Sequence, residues 1–248
     1  MDDNTRLKPY KKDFGYSYTL GVFPTLELID NKPSAISRIV LSTKGENNQG
    51  VVKILEFAKK SGIPALFDDK TLNRISPKEN CFAVAVFEKY DCVLDKSANH
   101  LVLVNPADKG NLGTILRTAT AFGIENIAII SPAADIYDPK VVRASMGALF
   151  HVNFRYYKDF NDYHSEFCKD DRNLVPFMLD GEPINKVAAG IKESSLPFSL
   201  IYGNESSGLP AEFLQIGTPA RIMHSNNVDS LNLPMAVGIG LYTFTEFN

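Results

Sequence analysis

No apolar run in the 248 residues approaches the ~20 that a membrane helix needs, so the sequence argues against a membrane protein. Cysteine is scarce. Cys81, Cys92 and Cys168 are an odd number without paired spacing, which points away from a disulfide framework or a zinc site and toward reduced thiols in the cytoplasm. The four histidines, His100, His151, His164 and His224, are isolated and show no metal-ligand spacing, so no metal is expected. The start, Met1-Asp-Asp-Asn-Thr, is acidic and polar, unlike a signal peptide. There are no internal repeats and no low-complexity tracts. Charge of one sign is also missing: the net is −3, which does not advertise nucleic-acid binding. Its distribution is more telling. Residues 1–97 hold 15 Lys and Arg against 13 Asp and Glu, whereas residues 98–248 hold 11 against 16, so the first part is the better phosphate-facing surface.

What is present is ordinary globular material, with 44% hydrophobic and 22% charged residues, enough for one large domain or two small ones. Residues 1–16 are polar, either a frayed terminus or an RNA-contacting arm carrying Arg6, Lys8, Lys11 and Lys12. Strands are predicted at 17–23, 37–42, 63–67 and 81–87. Helices are predicted from Pro24, over 51–60 (closed by Gly62) and over 69–75. That alternation makes a compact α/β unit. Residues 90–98 read as a linker, giving domains 1–97 and 98–248.

The second part opens with a buried strand, 100–105, then a loop, 106–113, and a helix, 114–122, before Gly123. Further strands are predicted at 126–130 and 174–179, and helices at 139–150 and 159–169; residues 180–196 read as loop plus a short helix. Two short apolar strands near the C-terminus each enter a polar loop: Phe198-Ser-Leu-Ile-Tyr-Gly-Asn-Glu-Ser-Ser-Gly-Leu-Pro210, and Ala220-Arg-Ile-Met223 leading to Ser230-Leu-Asn232 and a final helix, 233–247. Loops at the C-terminal ends of strands are where open α/β sheets bind ligands, so pattern alone gives a doubly wound parallel sheet with a nucleotide-like ligand. A nicotinamide-dinucleotide enzyme fits poorly, because Gly110-Asn-Leu-Gly113 lacks the G-x-G-x-x-G spacing.

Three blocks in order resemble the motifs of the TrmH (SpoU) RNA ribose methyltransferases of the SPOUT class: Asn111 through Arg117; Gly203, Glu205, Gly208 and Leu209; and Ile222 with Ser230-Leu231-Asn232. Arg143, Ala144, Ser145 and Gly147 match a further family segment. The resemblance covers roughly residues 99–247. It implies a C-terminal SPOUT-type parallel sheet with a trefoil knot, preceded by a small α/β RNA-binding domain, although true knots are nearly absent among folds. It also implies an S-adenosylmethionine pocket formed by the crossing loops, a homodimer packed through the knot regions, and methyl transfer to a ribose 2′-hydroxyl without a metal.

By the same resemblance Gly203, Ile222, Leu231 and Asn232 fall at cofactor-binding positions, with Gly203 leaving space beside the adenosine. Arg117, Asn111, Glu205, Ser230 and Asn232 fall at catalytic ones. A guanidinium is almost always protonated, so Arg117 suits holding a phosphate and polarising the 2′-oxygen better than accepting a proton. Each residue also has a plain structural reading: Arg117 a surface arginine, Glu205 a solvated loop carboxylate, Ile222 and Leu231 core, Ser230 a helix cap. Lys109, Pro234 and the pair Met223-His224 depart from the family's usual residues, the last replacing a frequent Pro-Met, and His224 is either a pocket contact or an idle surface group. Ribosomal RNA is the expected substrate, with transfer RNA, base methylation or a non-catalytic RNA-binding module as alternatives.

Overall fold

In the computed structural model, which describes residues 7–76, 80–167, 172–225 and 227–245, the contacts divide the chain into two units. One comprises Met1–Tyr90 with Asp135–His151, and the other Asp91–Ala134 with Val152–Asn248. The change of unit at Tyr90 falls at the start of the predicted linker. The return of residues 135–151 to the first unit has no signal in the sequence.

The first unit begins with strand β1 (Tyr16–Tyr18), shorter than predicted, and helix α1 (Val22–Asn31), which starts two residues before Pro24. Strand β2 (Ile36–Leu41) leads to α2 (Gln49–Ser61). Asn48 caps that helix by accepting from the N–H groups of Gly50 and Val51 at 2.9 and 3.3 Å, and Gly62 closes it in the left-handed region. Strand β3 (Ala65–Phe67), α3 (Asp69–Ile75) and β4 (Ala83–Glu88) follow. The sheet order is β1-β4-β2-β3, with only the β2–β3 pair parallel.

The second unit is built on apolar runs. Strands β5 (His100–Val104) and β6 (Asn126–Ile130) are buried at every position, as parallel strands covered on both faces must be. Between them α4 (Lys109–Ala121) begins five residues earlier than predicted, because Asp108 accepts from the Asn111 N–H at 2.7 Å and caps it. Asn111 therefore stands in the first helical turn and not in a loop.

The chain then contributes α5 (Pro139–Ala144) to the first unit. The single helix predicted over 139–150 is broken: Met146 and Gly147 take φ of 52° and 86°, and a 3-10 turn, Ala148–His151, replaces its second half. Gly147 is demanded by close approach, since a Cβ there would lie 2.4 Å from Cβ of Glu27. His151 Nε2 stands 2.6 Å from Glu27 Oε2, and Tyr90 N–H donates to the Tyr137 hydroxyl at 2.7 Å.

Back in the second unit come β7 (Asn153–Tyr157), an aromatic strand the sequence reading missed, then α6 (Phe160–Phe167) and β8 (Asn173–Pro183). Helix α7 (Ile184–Glu193), β9 (Phe198–Tyr202), β10 (Ala220–Arg221) and α8 (Leu233–Thr245) complete it. Strand β8 runs through residues read as loop. The last residues of the helices predicted over 159–169 and 233–247, together with Cys168, lie outside the described residues. The sheet is wholly parallel, in the order β10-β8-β9-β5-β6-β7, so the predicted α/β class and parallel sheet hold. The order doubles back between β5 and β9, a place where such sheets open a crevice at their C-terminal edge. Among the described residues no helix is long and apolar enough to cross a membrane, and no group of three potential metal ligands occurs.

Candidate functional site

The middle of β8 and the C-terminal ends of β9 and β10 open onto a cavity of about 500 Å³, a size that suits a nucleotide-like small molecule. Its apolar wall comes from the middle of β8 (Phe177, Met178, Leu179), from Tyr202, from Leu231, and from Leu233 and Ala236 at the start of α8. Phe177 and Tyr202 stack with centroids 4.2 Å apart. The polar wall holds Asp180, Glu205, Ser206, Ser207, Arg221, His224, Asp229 and Ser230.

Five of the sequence-predicted site residues, Gly203, Glu205, Ile222, Ser230 and Leu231, meet in this wall although 28 positions of chain separate the first from the last. The loop that carries two of them is a closed structure. Asn204 Oδ1 accepts from Ser206 N, Ser206 Oγ and Ser207 N at 2.9, 2.7 and 3.3 Å. Its Nδ2 donates to the Asn105 carbonyl at 2.8 Å, tying the loop to the end of β5. Backbone returns so tightly that a Cβ on Gly203 would stand 2.2 Å from C of Gly208 and 2.4 Å from N of Leu209. Glycine is required at 203 by that closure.

Glu205 is half-buried and fully engaged. Its carboxylate accepts from Ala107 N and Asp108 N, each at 3.1 Å, from Asn111 Nδ2 at 3.4 Å and from Asn204 Nδ2 at 3.3 Å. A negative group at the opening turn of α4 also meets the positive end of the helix dipole. Asn111 and Glu205 therefore form one clip between the first and second motifs. The clip ties the loop after β9 to the start of α4, and it makes no bond to Arg117.

Arg117 lies on the exposed face of α4, outside the cavity wall, with no hydrogen bond or ion pair to a described residue. Asn232 is also exposed and outside the wall; its carbonyl accepts from Ala236 N at 3.0 Å, so its backbone opens α8. Ser230 is exposed at the rim and makes no cap of its own.

Residues the sequence reading did not single out also build the site. Phe177, Met178 and Leu179 lie in the middle of β8, between its pairing with β9 and its pairing with β10. Arg221 donates from Nη1 to the Leu179 carbonyl at 3.4 Å, leaving its buried Nε without a partner. Tyr202 has a buried hydroxyl without a partner, and burial pushes its phenol well above the usual tyrosine range. His224 Nδ1 donates to the Ile222 carbonyl at 2.9 Å.

The residues present fit S-adenosylmethionine. Stacked aromatics and leucines offer an apolar slot for an adenine, main chain crosses closely at Gly203, and Asp180, Asp229 and Ser230 offer acceptors for a cationic donor.

Comparison with known proteins places this geometry. Residues 98–242 match the model of the SpoU rRNA Methylase family. An uncharacterized tRNA/rRNA methyltransferase of Archaeoglobus fulgidus is 30% identical over 204 residues, spanning 82% of this chain and 88% of that protein. A 23S rRNA (guanosine(2553)-2′-O)-methyltransferase of Bacillus subtilis is 28% identical over 149 residues, 59% of this chain and 58% of the relative. Among solved structures, the AdoMet-bound rRNA methyltransferase of Sinorhizobium meliloti superposes with a TM-score of 0.77 at 25% identity, covering 93% of this chain and 87% of that one. With motifs, sheet order and cavity in agreement, the chain belongs to the SpoU rRNA Methylase family.

Proposed function

We propose that this chain transfers a methyl group from S-adenosylmethionine to a ribose 2′-hydroxyl of RNA, with ribosomal RNA favoured over transfer RNA. The observation that carries the reading is the cavity itself, because it is assembled from the second and third SpoU motifs at the ligand-binding edge of a parallel sheet. The donor supplies an electrophilic methyl on a sulfonium, a good leaving group, so the protein mainly aligns reactants and manages one proton. Ile222, Leu231 and the Gly203 loop hold the donor. Arg117, exposed and free of described partners, holds an RNA phosphate and polarises the 2′-oxygen. Asn111 and Glu205 position the loop and helix that flank the site, and Ser230 and Asn232 contact the reactants at its rim.

The reading includes a trefoil-knotted path and a homodimer. Main chain crosses closely where a Cβ on Gly181 would lie 2.8 Å from N of Ala220. Met235, Ile239 and Tyr242, at i, i+4 and i+7 of α8, are 61, 36 and 71% exposed and form an apolar stripe beside α4, where Tyr242 meets the ring of Phe122. The first unit, with exposed Lys8, Lys11 and Lys12, grips RNA outside the reacting nucleotide. The free thiols of Cys81 and Cys92 suit a reducing cytoplasm.

The test is transfer of labelled methyl from S-adenosylmethionine to unmodified ribosomal and transfer RNA, assayed separately. Label is expected as a 2′-O-methylnucleoside in the ribosomal pool. Arg117→Ala should lower transfer about 100-fold or more while leaving folding intact. Label on a base, or only in transfer RNA, would replace the substrate assignment, and a fully active Arg117→Ala would move the site.

A further inference from the structure

A guanidinium is always charged in a protein, so one that leaves bulk water needs an anion or a full set of acceptors. Arg221, half-buried at the end of β10, has neither. Its backbone is fixed: Arg221 pairs with Pro183 in the β10–β8 ladder, and the Pro219 carbonyl accepts from Glu182 N at 2.9 Å. Its side chain is not. The one bond it makes to a described residue runs from Nη1 to the Leu179 carbonyl at 3.4 Å, longer than an ordinary N–H···O bond. Nε is buried without a partner, and no described residue accepts from Nη2. No described carboxylate forms an ion pair with it. Glu182 pairs with Lys186, and Glu205 is taken by the N–H groups of Ala107 and Asp108. Among the described residues of the cavity wall, Arg221 is the one arginine or lysine, in the company of Asp180, Glu205 and Asp229.

We propose that Arg221 binds the α-carboxylate of the methyl donor. This rests on the methyltransferase reading above. The amino-acid half of S-adenosylmethionine carries a sulfonium, an ammonium and a single carboxylate. The wall holds the complementary set: Asp180 and Asp229 for the cations, Arg221 for the anion. A guanidinium gives a carboxylate two parallel N–H bonds, and the stretched bond to Leu179 is weak enough to yield to them. An RNA phosphate offers the same chemistry. The donor is favoured because Ala220 and Ile222 on either side of Arg221, and the Leu179 that it bonds, all line the cavity.

The test is calorimetric binding, without RNA, of S-adenosylmethionine and of decarboxylated S-adenosylmethionine, which lacks only the carboxylate. The full-length wild type, Arg221→Ala and Arg221→Lys are compared. Wild type should prefer the intact donor by about 10- to 100-fold, the range of a charge-assisted pair. Arg221→Ala should bind both ligands alike, with its affinity for the decarboxylated one unchanged. Arg221→Lys should keep part of the preference, because the charge remains without the fork. A merely structural role would weaken both ligands together and leave the preference in place, which would overturn the assignment. So would a wild type that binds the two equally. Affinity for ribosomal RNA is measured on the same preparations; a fall confined to RNA would make Arg221 a phosphate contact and overturn the assignment as well. If wild type binds neither S-adenosylmethionine nor S-adenosylhomocysteine, the methyltransferase reading fails and takes this assignment with it. Failure of Arg221 alone looks different: the donor binds, and its carboxylate is recognised without the arginine.

Discussion

The two ends of the parallel sheet treat polar groups in opposite ways. At the N-terminal end, His100, Tyr163, Ser199 and Arg172 are buried in one network. His100 Nδ1 meets the Tyr163 hydroxyl at 2.9 Å, that hydroxyl meets Ser199 Oγ at 2.6 Å, and His100 Nε2 meets the Asp95 carbonyl at 2.8 Å. Arg172 donates to the carbonyls of Phe198, Lys96 and Ala98 at 3.0, 2.7 and 2.9 Å. At the C-terminal end, His224 Nε2, the Arg221 Nε and the Tyr202 hydroxyl are left without such partners. One end fixes strand starts with a dense set of side-chain bonds; the other keeps groups open for a ligand. The difference separates stability from function within a single sheet, and each prediction below probes one side of it.

The largest effect belongs to the closed end. Arg172→Ala would strand three carbonyls and the Ser199 hydroxyl in a buried site. It should cost about 3–5 kcal/mol in urea unfolding, while donor affinity stays unchanged in the folded fraction. A loss of donor affinity at full stability would erase the distinction between the two ends.

His100 makes the same end sensitive to acid. Burial first, then the nearby Arg172 charge, lowers its pKa to about 4, against an ordinary histidine value near 6.5. The unfolded chain therefore binds the extra proton more readily between those values. The contribution of His100 is complete above about pH 6.5 and is lost as pH falls toward 4, by an amount on the order of 3 kcal/mol. Urea midpoints at pH 7 and pH 4.5 should show this decline in wild type and a shallower one in His100→Asn; equal declines would mean that carboxylates alone carry it.

Glu205 sits between the two behaviours, being a site residue with a structural task. Glu205→Ala leaves the Ala107 and Asp108 N–H groups without their acceptor and frees Asn111, for about 1–2 kcal/mol. Because the clip positions the loop after β9, donor affinity should fall with it, whereas Glu205→Gln should recover part of the stability. Reduced transfer with stability and donor affinity both intact would place Glu205 in the chemistry itself.

Much of this division could be read from residues. The continuous apolar runs of β5 and β6 and the turn residues around Gly62 fixed those elements because period and capping are local. The motif loops were legible as chemistry, yet their geometry was not. Gly203 answers to the backbone of Gly208, and Glu205 to N–H groups nearly a hundred positions earlier. Long-range contact likewise decides the break after Ala144. Met146 accepts a left-handed conformation, and Gly147 lies against Glu27 of another helix, which no window of sequence contains. The closed end was invisible for the same reason: an isolated histidine at 100 gives no hint of Tyr163, Ser199 or Arg172.

The smallest predicted effect is the sharpest test of the open end. The Tyr202 hydroxyl is buried at the cavity wall, close enough to α8 that a Cβ on Gly240 would stand 1.8 Å from it, and it has no hydrogen-bond partner. An orphaned buried hydroxyl is a cost unless something else uses it. Tyr202→Phe keeps the ring stacked on Phe177 and removes only the oxygen. If the hydroxyl serves nothing, the variant should be about 1 kcal/mol more stable and bind S-adenosylhomocysteine as before. If affinity for that product falls while stability rises, the hydroxyl belongs to the ligand. The open end would then extend inward to β9, with an unmet bond kept at the expense of stability.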